Sequence, residues 1–329
     1  MHVTVLGAGS WGTTVASLTV ASHPTTLWAR DPVVASEVRL SQTNSTYLPG
    51  ISLPRGITAT NHLEKAVSSA DVLILAVPSG GFRSVLGSAL EWVRPWIPVV
   101  SLTKGVEAGS LMRMTEVIED LLPGHPAAAL SGPNLAREIM QGKAAAAVLA
   151  TEDPGVASAL QGVLRHRLFR VYRNHDVIGC EVGGALKNVV AIAAGIAEGL
   201  GVGDNTRAAV MTRGLAEITR LAVAMGAEPQ TLAGLAGMGD LVATCMSPLS
   251  RNRTVGEKLG RGLDLQQILS EMHMVAEGVN TARLALDLAA RYGVELPICE
   301  EIHKVVTGAQ RATDAYRGLR DPGHESDPG

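Results

Sequence analysis

Residues 2–18 read HVTVLGAGSWGTTVASL. Val3 to Leu6 form an apolar, β-branched run of strand length, and Gly7, Gly9 and Gly12 follow it at the spacing G-x-G-x-x-G. Trp11, Val15 and Leu18 then recur at helical period. Glycine is common here, with 36 residues, so the spacing alone carries little. The strand before it and the helix after it are what the motif requires. Gly7 permits the tight turn, Gly9 lets an anion approach the backbone, and Gly12 lets helix and strand pack closely, so that first-turn N–H groups face a pyrophosphate. Ser10 and Trp11 open that helix, Trp11 both as a core residue and as a shield for the ligand. The segment predicts a dinucleotide-binding unit and, with it, an enzyme that uses a nicotinamide cofactor.

Outward from this unit, the runs TTLWAR, ADVLILAV, IPVVSL and AAALSG alternate with helix-like stretches, the rhythm of a parallel sheet with crossover helices. AAAAVLAT and LFRVYR, around a helix from Pro154 to Arg165, extend the sheet. From about Asp176 long runs at helical period replace the strands. The fold expected is an α/β Rossmann-like N-terminal domain, doubly wound and mainly parallel, followed by an all-α C-terminal domain. The expected boundaries are 1–177, 178–313 and a polar tail, 314–329, read as disordered.

Bulk properties exclude several classes. With 28 basic and 31 acidic residues the formal charge is −3, which gives no reason to expect nucleic acid or an anionic membrane as main partner. Cys180, Cys245 and Cys299 are far apart, against a disulfide framework or zinc site, and a reducing, cytoplasmic setting is expected with no metal. The N-terminus enters a strand, so no export signal is expected, and VVAIAAGIAEGLG is read as a buried helix, too short and polar for a membrane span.

The cofactor reading extends to the tip of the second strand, where a Rossmann domain for NAD usually offers a carboxylate. Here Arg30 stands there, followed by Asp31. Arginine suits a 2′-phosphate, so NADP(H) is expected as preferred, with NAD(H) possible. Lys187 and Asn188 lie inside a helix, 181–198, that is apolar nearly all round. Gly183, Gly184, Ala191 and Ala194 share a face with Lys187 and leave room for another body against it. Desolvation and a nearby cation ready an ammonium for proton exchange with a carbonyl or hydroxyl. Lys104, just beyond IPVVSL at the carboxyl edge of the sheet, is a second candidate cation or else a surface charge. Asp240 ends the glycine-dense stretch LAGMGD, as a site carboxylate or a helix cap. Ser250, Arg251 and Asn252 precede TVGEKLG and gather helix-start donors and a guanidinium around one spot suited to a phosphate dianion.

The segments GAGSWG, LTKG, SGPN, KNVVAIAAGIAEGLGVGDNTRAA, GMGDLVATC, SRN and AEGVNTA occur in this order between residues 7 and 282. Together they closely resemble the bacterial-type NAD(P)-dependent glycerol-3-phosphate dehydrogenases. The resemblance implies reversible reduction of dihydroxyacetone phosphate to sn-glycerol 3-phosphate for phospholipid synthesis, in a homodimer. It implies Lys187 as proton donor and acceptor, Lys104 as a substrate ligand polarising the carbonyl and near the cofactor, and Asp240 as an orienting group. Ser250, Arg251 and Asn252 match the phosphate-binding motif, with Arg251 also near the cofactor. Tyr47, Ala136, Val275 and Glu277 match further cofactor positions, and Gly132 and Asn134 match substrate positions. At Asn134 this chain departs from the family, which commonly has serine or threonine followed by phenylalanine after SGP. The amide still donates and accepts, and Leu135 alters packing more than chemistry. The alternatives are another two-domain hydroxy-acid dehydrogenase, which needs a carboxylate pocket in place of SRN, and a non-catalytic NADP-binding redox sensor, in which a buried Lys187 has no purpose.

Overall fold

The computed structural model describes residues 1–272 and 276–315. The chain divides into two compact units, Met1–Glu181 and the rest from Val182. The sequence positions 316–329, most of the expected tail, lie outside the described residues.

The first unit is built on eight strands: β1 (Val3–Leu6), β2 (Thr25–Trp28), β3 (Ile57–Thr60), β4 (Val72–Leu75), β5 (Val99–Ser101), β6 (Ala127–Ser131), β7 (Ala145–Ala150) and β8 (Phe169–Asn174). Their order in the sheet is β3-β2-β1-β4-β5-β6-β7-β8. All pairings are parallel except β6 with β7. Helices α1 (Ser10–Thr19), α2 (Pro32–Ser41), α3 (Leu63–Val67), α4 (Ser79–Gly87), α5 (Met114–Leu121), α6 (Ala136–Met140) and α7 (Pro154–Leu164) make the connections. This is the doubly wound, mainly parallel sheet expected from the sequence. Alternate residues supply two cores: Val3, Val5, Val72 and Ile74 join one cluster, and Leu6, Leu73 and Leu75 the other. Burial on both faces is why these strands read as nearly continuous apolar runs. β3 escaped the sequence reading because ITAT is short, sits at the sheet edge and has one buried residue among its four.

Local chemistry fixes the helix starts. Asp31 accepts from Val33 N ahead of Pro32 in α2, and Asp153 accepts from Gly155 N and Val156 N around Pro154 in α7. β1 is flanked by β2 and β4, so the chain order reverses direction across the sheet at β1. The loop after β1 lies at this switch point, where open α/β sheets bind ligands.

Helices continue with α8 (Val177–Gly199), α9 (Asp204–Ala224), α10 (Pro229–Ala233), α11 (Asp240–Met246), α12 (Arg251–Gly260), α13 (Leu265–Ser270), α14 (Glu277–Tyr292) and α15 (Pro297–Val306). Among the described residues no strand follows Asn174. α8 has 23 residues, more than its apolar run implied, and by length and composition could cross a membrane. Its residues from Cys180 to Ala197 are buried in the protein, which makes it a core helix. Its glycines let α12 approach backbone to backbone: a Cβ on Gly195 would meet Arg253 O at 2.1 Å, and one on Gly256 would meet Ile192 O at 2.0 Å. Glu217 of α9 is buried and accepts from Ile298 N at 2.8 Å, capping α15.

Two predictions follow from this packing. Gly256→Ala lowers unfolding free energy by about 1–3 kcal/mol or more, because carbonyl backbone cannot step aside. Gly162→Ala, in α7 where a Cβ meets nothing, is neutral or stabilising by up to about 1 kcal/mol. Equal denaturation midpoints for the two variants contradict the close approach. The second concerns pH. Burial pushes the Glu217 carboxyl up to about 7, against the pull of the Ile298 and Cys299 N–H groups. A folded-state value above the unfolded one means that this group's stabilisation is full below the unfolded value and is lost as pH rises through about 7. Wild type therefore gains stability from pH 8 to pH 5 relative to Glu217→Gln, by roughly 3 kcal/mol at most. Parallel pH profiles for the two proteins reject this.

Candidate active site

In the first unit the glycine loop is tightly packed at two of its three glycines and open at the third. Gly7 has φ +114°, and a Cβ there would meet Ala76 O at 2.5 Å. A Cβ on Gly12 would meet Gly7 O at 2.0 Å, so only glycine lets α1 close on the turn. A Cβ on Gly9 would meet nothing within 4 Å, leaving open space on the side from which a ligand would approach. Ser10 is the first residue of α1, which has neither a side-chain cap nor an acidic residue in its first turn. Those N–H groups are thus left for an anion. Asn44, which the sequence reading passed over, holds the loop from below: its fully buried Nδ2 donates to Ala8 O and to Thr13 Oγ1, each at 2.9 Å. A buried asparagine 36 residues from its partner leaves no local pattern to read.

Trp11 packs edge-on to Phe169 with ring centroids 6.0 Å apart, so its core role is real. Its buried Nε1 nevertheless has no partner in the protein. Arg30 is exposed just beyond β2, and among the described residues no carboxylate pairs with it. The neighbouring Asp31 is engaged at 2.8 Å in capping α2. Tyr47 lies half-buried against the core near the loop, its N–H donating to Asn44 Oδ1.

The loops after β5 and β6 meet. Lys104 Nζ donates to Gly132 O at 2.8 Å, and Thr103 Oγ1 donates to Val77 O at 2.6 Å, tying the lysine's loop to the end of β4. Gly132 has φ +112° and lies against the backbone of β7. Asn134 follows, with both side-chain polar atoms buried and unpartnered, as is Ser131 Oγ. Buried polar atoms without partners cost roughly 1–3 kcal/mol each, a cost that a polar ligand removes. Ala136 begins α6. Open space at Gly9, free first-turn N–H groups and these orphaned atoms fit the phosphates and amide of a nicotinamide dinucleotide.

In the second unit Lys187 is buried in α8 and donates to Asp240 Oδ1 at 2.6 Å and to Thr244 Oγ1 at 2.5 Å. Thr244 in turn donates to the Asp240 carbonyl at 2.6 Å. Asp240 is almost wholly buried at the first position of α11, after a single π-helical turn, Leu235–Gly239. Gly183 on α8 explains how that turn comes so near: the nearest atom to a Cβ built there is Ala236 O, at 3.0 Å. What the small face of α8 admits at Gly183 is therefore the chain's own backbone. Burial pushes the Cys245 thiol up to about 12, with Lys187 opposing and Asp240 reinforcing, so it stays neutral beside the pair. Thr244 was missed because a threonine four residues past Asp240 is ordinary in a helix.

The motif SRN separates into three tasks. Ser250 Oγ accepts from Arg253 N and caps α12. Asn252 is buried, donating to Asn188 Oδ1 at 2.9 Å and accepting from Gly278 N at 3.0 Å. It thereby braces α8 and α14 against α12. Arg251 reaches exposed surface, and desolvation pulls its guanidinium below the ordinary value while Glu277 pushes the other way. Glu277 opens α14, and Val275 lies outside the described residues.

Comparison with known proteins places this geometry among relatives. The model for the N-terminal part of NAD-dependent glycerol-3-phosphate dehydrogenase matches residues 2–157, and that for its C-terminal part matches residues 176–317. Glycerol-3-phosphate dehydrogenase (NAD(P)+) 2 of Sphingopyxis alaskensis is 55% identical over 100% of this chain and 99% of its own. A glycerol-3-phosphate dehydrogenase (NAD(P)+) of Geobacter sulfurreducens is 51% identical over 97% of this chain and 96% of its own. The crystal structure of glycerol-3-phosphate dehydrogenase from Coxiella burnetii superposes with TM-score 0.93 at 34% identity, covering 97% of this chain and 98% of that one.

The buried pair yields a stability test. Asp240→Ala leaves the Lys187 ammonium buried without its carboxylate and lowers unfolding free energy by about 3–5 kcal/mol. Lys187→Met combined with Asp240→Leu recovers most of that loss in urea denaturation. A double variant as unstable as Asp240→Ala contradicts the pairing.

Proposed function

The chain belongs to the NAD-dependent glycerol-3-phosphate dehydrogenase family, and from that premise we propose that it reversibly reduces dihydroxyacetone phosphate to sn-glycerol 3-phosphate with NADP(H) or NAD(H). The observation that supports this reading best is the buried Lys187 held between Asp240 and Thr244. When bound, the nicotinamide cofactor supplies or accepts the hydride at the substrate's C2. Lys187 Nζ gives its proton to the C2 oxygen as it becomes an alcohol, and takes it back in the reverse direction. Asp240 fixes the ammonium's position and offsets the cost of its burial. Lys104 donates to the substrate and polarises the carbonyl, and Gly132 and Asn134 line the same loop. Arg251 anchors the phosphate, while Ser250 and Asn252 hold its helix start in place. Binding energy at this remote phosphate orients the reacting carbon.

For the cofactor, Gly7, Gly9, Ser10, Trp11 and Gly12 cradle the pyrophosphate, and Arg30 tips the preference toward NADP(H). Tyr47, Ala136, Val275 and Glu277 complete the cofactor contacts. Residues 1–177 act as the cofactor domain and 178–313 as the substrate domain. The reading carries with it a cytoplasmic homodimer whose product feeds phospholipid synthesis.

One assay tests this: oxidation of NADPH and NADH with dihydroxyacetone phosphate, against unphosphorylated dihydroxyacetone. Oxidation requires the phosphate and is faster with NADPH at low cofactor. Lys187→Ala loses about 10²–10⁴-fold in kcat with little change in cofactor affinity. Arg251→Ala raises KM for the phosphorylated substrate roughly 10- to 100-fold. No oxidation with either cofactor rejects the assignment, and near-normal turnover in folded Lys187→Ala rejects the lysine's role.

A further inference from the structure

Residues 165–173 read RHRLFRVYR, four arginines and a histidine in nine positions without an acid, in a chain whose net charge is −3. The remainder of the chain is therefore more negative still. The segment forms the turn after α7 and most of β8, the edge strand of the sheet. The turn is tight, with His166 and Phe169 exchanging both backbone hydrogen bonds. Arg165, Arg167, Arg170 and Arg173 are all exposed, and among the described residues no carboxylate pairs with any of them. Between them Leu168 is 51% and Tyr172 49% exposed. Arg165, His166, Arg167, Arg170, Tyr172 and Ser22 line an open cavity of about 680 Å³.

Charged side chains on an edge strand protect it from association. Four unpaired guanidinium groups beside a cavity, with a leucine and a tyrosine projecting among them, go well beyond that. Guanidinium forks match phosphate oxygens in pairs. Arginine interleaved with an exposed leucine and tyrosine is the composition of an interfacial anchor, whose apolar groups enter the headgroup layer while cations meet the phosphates. A nucleic acid would instead call for several stacking rings, and Tyr172 alone is exposed here.

We propose that the turn 165–168 and the outer edge of β8 form a docking surface for an anionic phospholipid membrane, with lipid phosphate seated among Arg165, Arg167 and Arg170. The contact is peripheral and reversible, and it is independent of the dehydrogenase reading because it is measured without turnover. It refines the expectation drawn from net charge alone: the average hides a local cationic face.

The test is cosedimentation of the full chain with vesicles of phosphatidylglycerol and phosphatidylcholine, against phosphatidylcholine alone, at low and high salt. The protein sediments with the mixed vesicles at low salt, is released at high salt, and ignores pure phosphatidylcholine. Arg167→Glu with Arg170→Glu, both exposed and outside the proposed catalytic and cofactor residues, weakens partition at least about 25-fold, roughly fivefold per arginine, with dehydrogenase activity in solution unchanged. Leu168→Ser weakens it less and leaves the salt dependence intact. The proposal is overturned by no sedimentation, by equal sedimentation with pure phosphatidylcholine, or by full retention in the double variant. Displacement by millimolar inorganic phosphate, the mark of a free-anion site, overturns it too, as does tighter binding to single-stranded RNA than to vesicles.

Discussion

A lysine ammonium inside an apolar helix is the constraint around which the second unit is arranged. Taking such a charge from water costs several kcal/mol unless a carboxylate and hydrogen bonds replace the solvent. Asp240 and Thr244 supply both. They can do so because the π-helical turn before Asp240 lies against Gly183, while α8 and α12 approach where Gly195 meets Arg253 and Gly256 meets Ile192. Side-chain size is given up along α8 to bring backbone close. That closeness places the carboxylate at the lysine and the Asn188–Asn252–Gly278 brace beneath Arg251. Packing, charge compensation and positioning of the start of α12 thus depend on one another.

The first unit solves a different problem with similar means. Its loop leaves the first-turn N–H groups of α1 without a side-chain cap and is held tightly in place. Gly7 and Gly12 give up side chains so that turn, helix and β4 interlock, and the buried Asn44 amide fastens the loop from the other side. Gly9 is the position left open. Buried polar atoms of Trp11, Ser131 and Asn134 are without protein partners, a cost that a ligand's own donors and acceptors would offset.

Much of this was legible in the sequence, for physical reasons. Strands buried on both faces, such as β1 and β4, leave continuous apolar runs, and edge strand β8 was readable from its alternation of buried Phe169 and Val171 with exposed Arg170 and Tyr172; β3, with one buried residue among four, leaves neither signal. Lys187 stood out because an isolated cation in an apolar helix breaks the local pattern. Its partners did not. Asp240 was ambiguous between site and cap, and Thr244 and Asn44 act through contacts 57 and 36 residues away in sequence. SRN was read as one phosphate-binding cluster, and the structure adds contacts that the motif does not reveal: Ser250 caps α12 and Asn252 donates to Asn188. Helix α8 shows the reverse error: judged too short for a span, it is long enough, and burial is what makes it a core helix.

If Lys187 and Asp240 act as one proton-delivering unit, their contributions to turnover are not independent. The direct measurement is a double-mutant cycle on kcat for dihydroxyacetone phosphate reduction, with Lys187→Ala, Asp240→Ala and the combined variant, each checked for folding. The pair requires the combined variant to be no slower than Lys187→Ala alone, within error. Losses that multiply across the two sites would contradict it, and would mean that the buried contact at 2.6 Å is structural while the proton moves elsewhere.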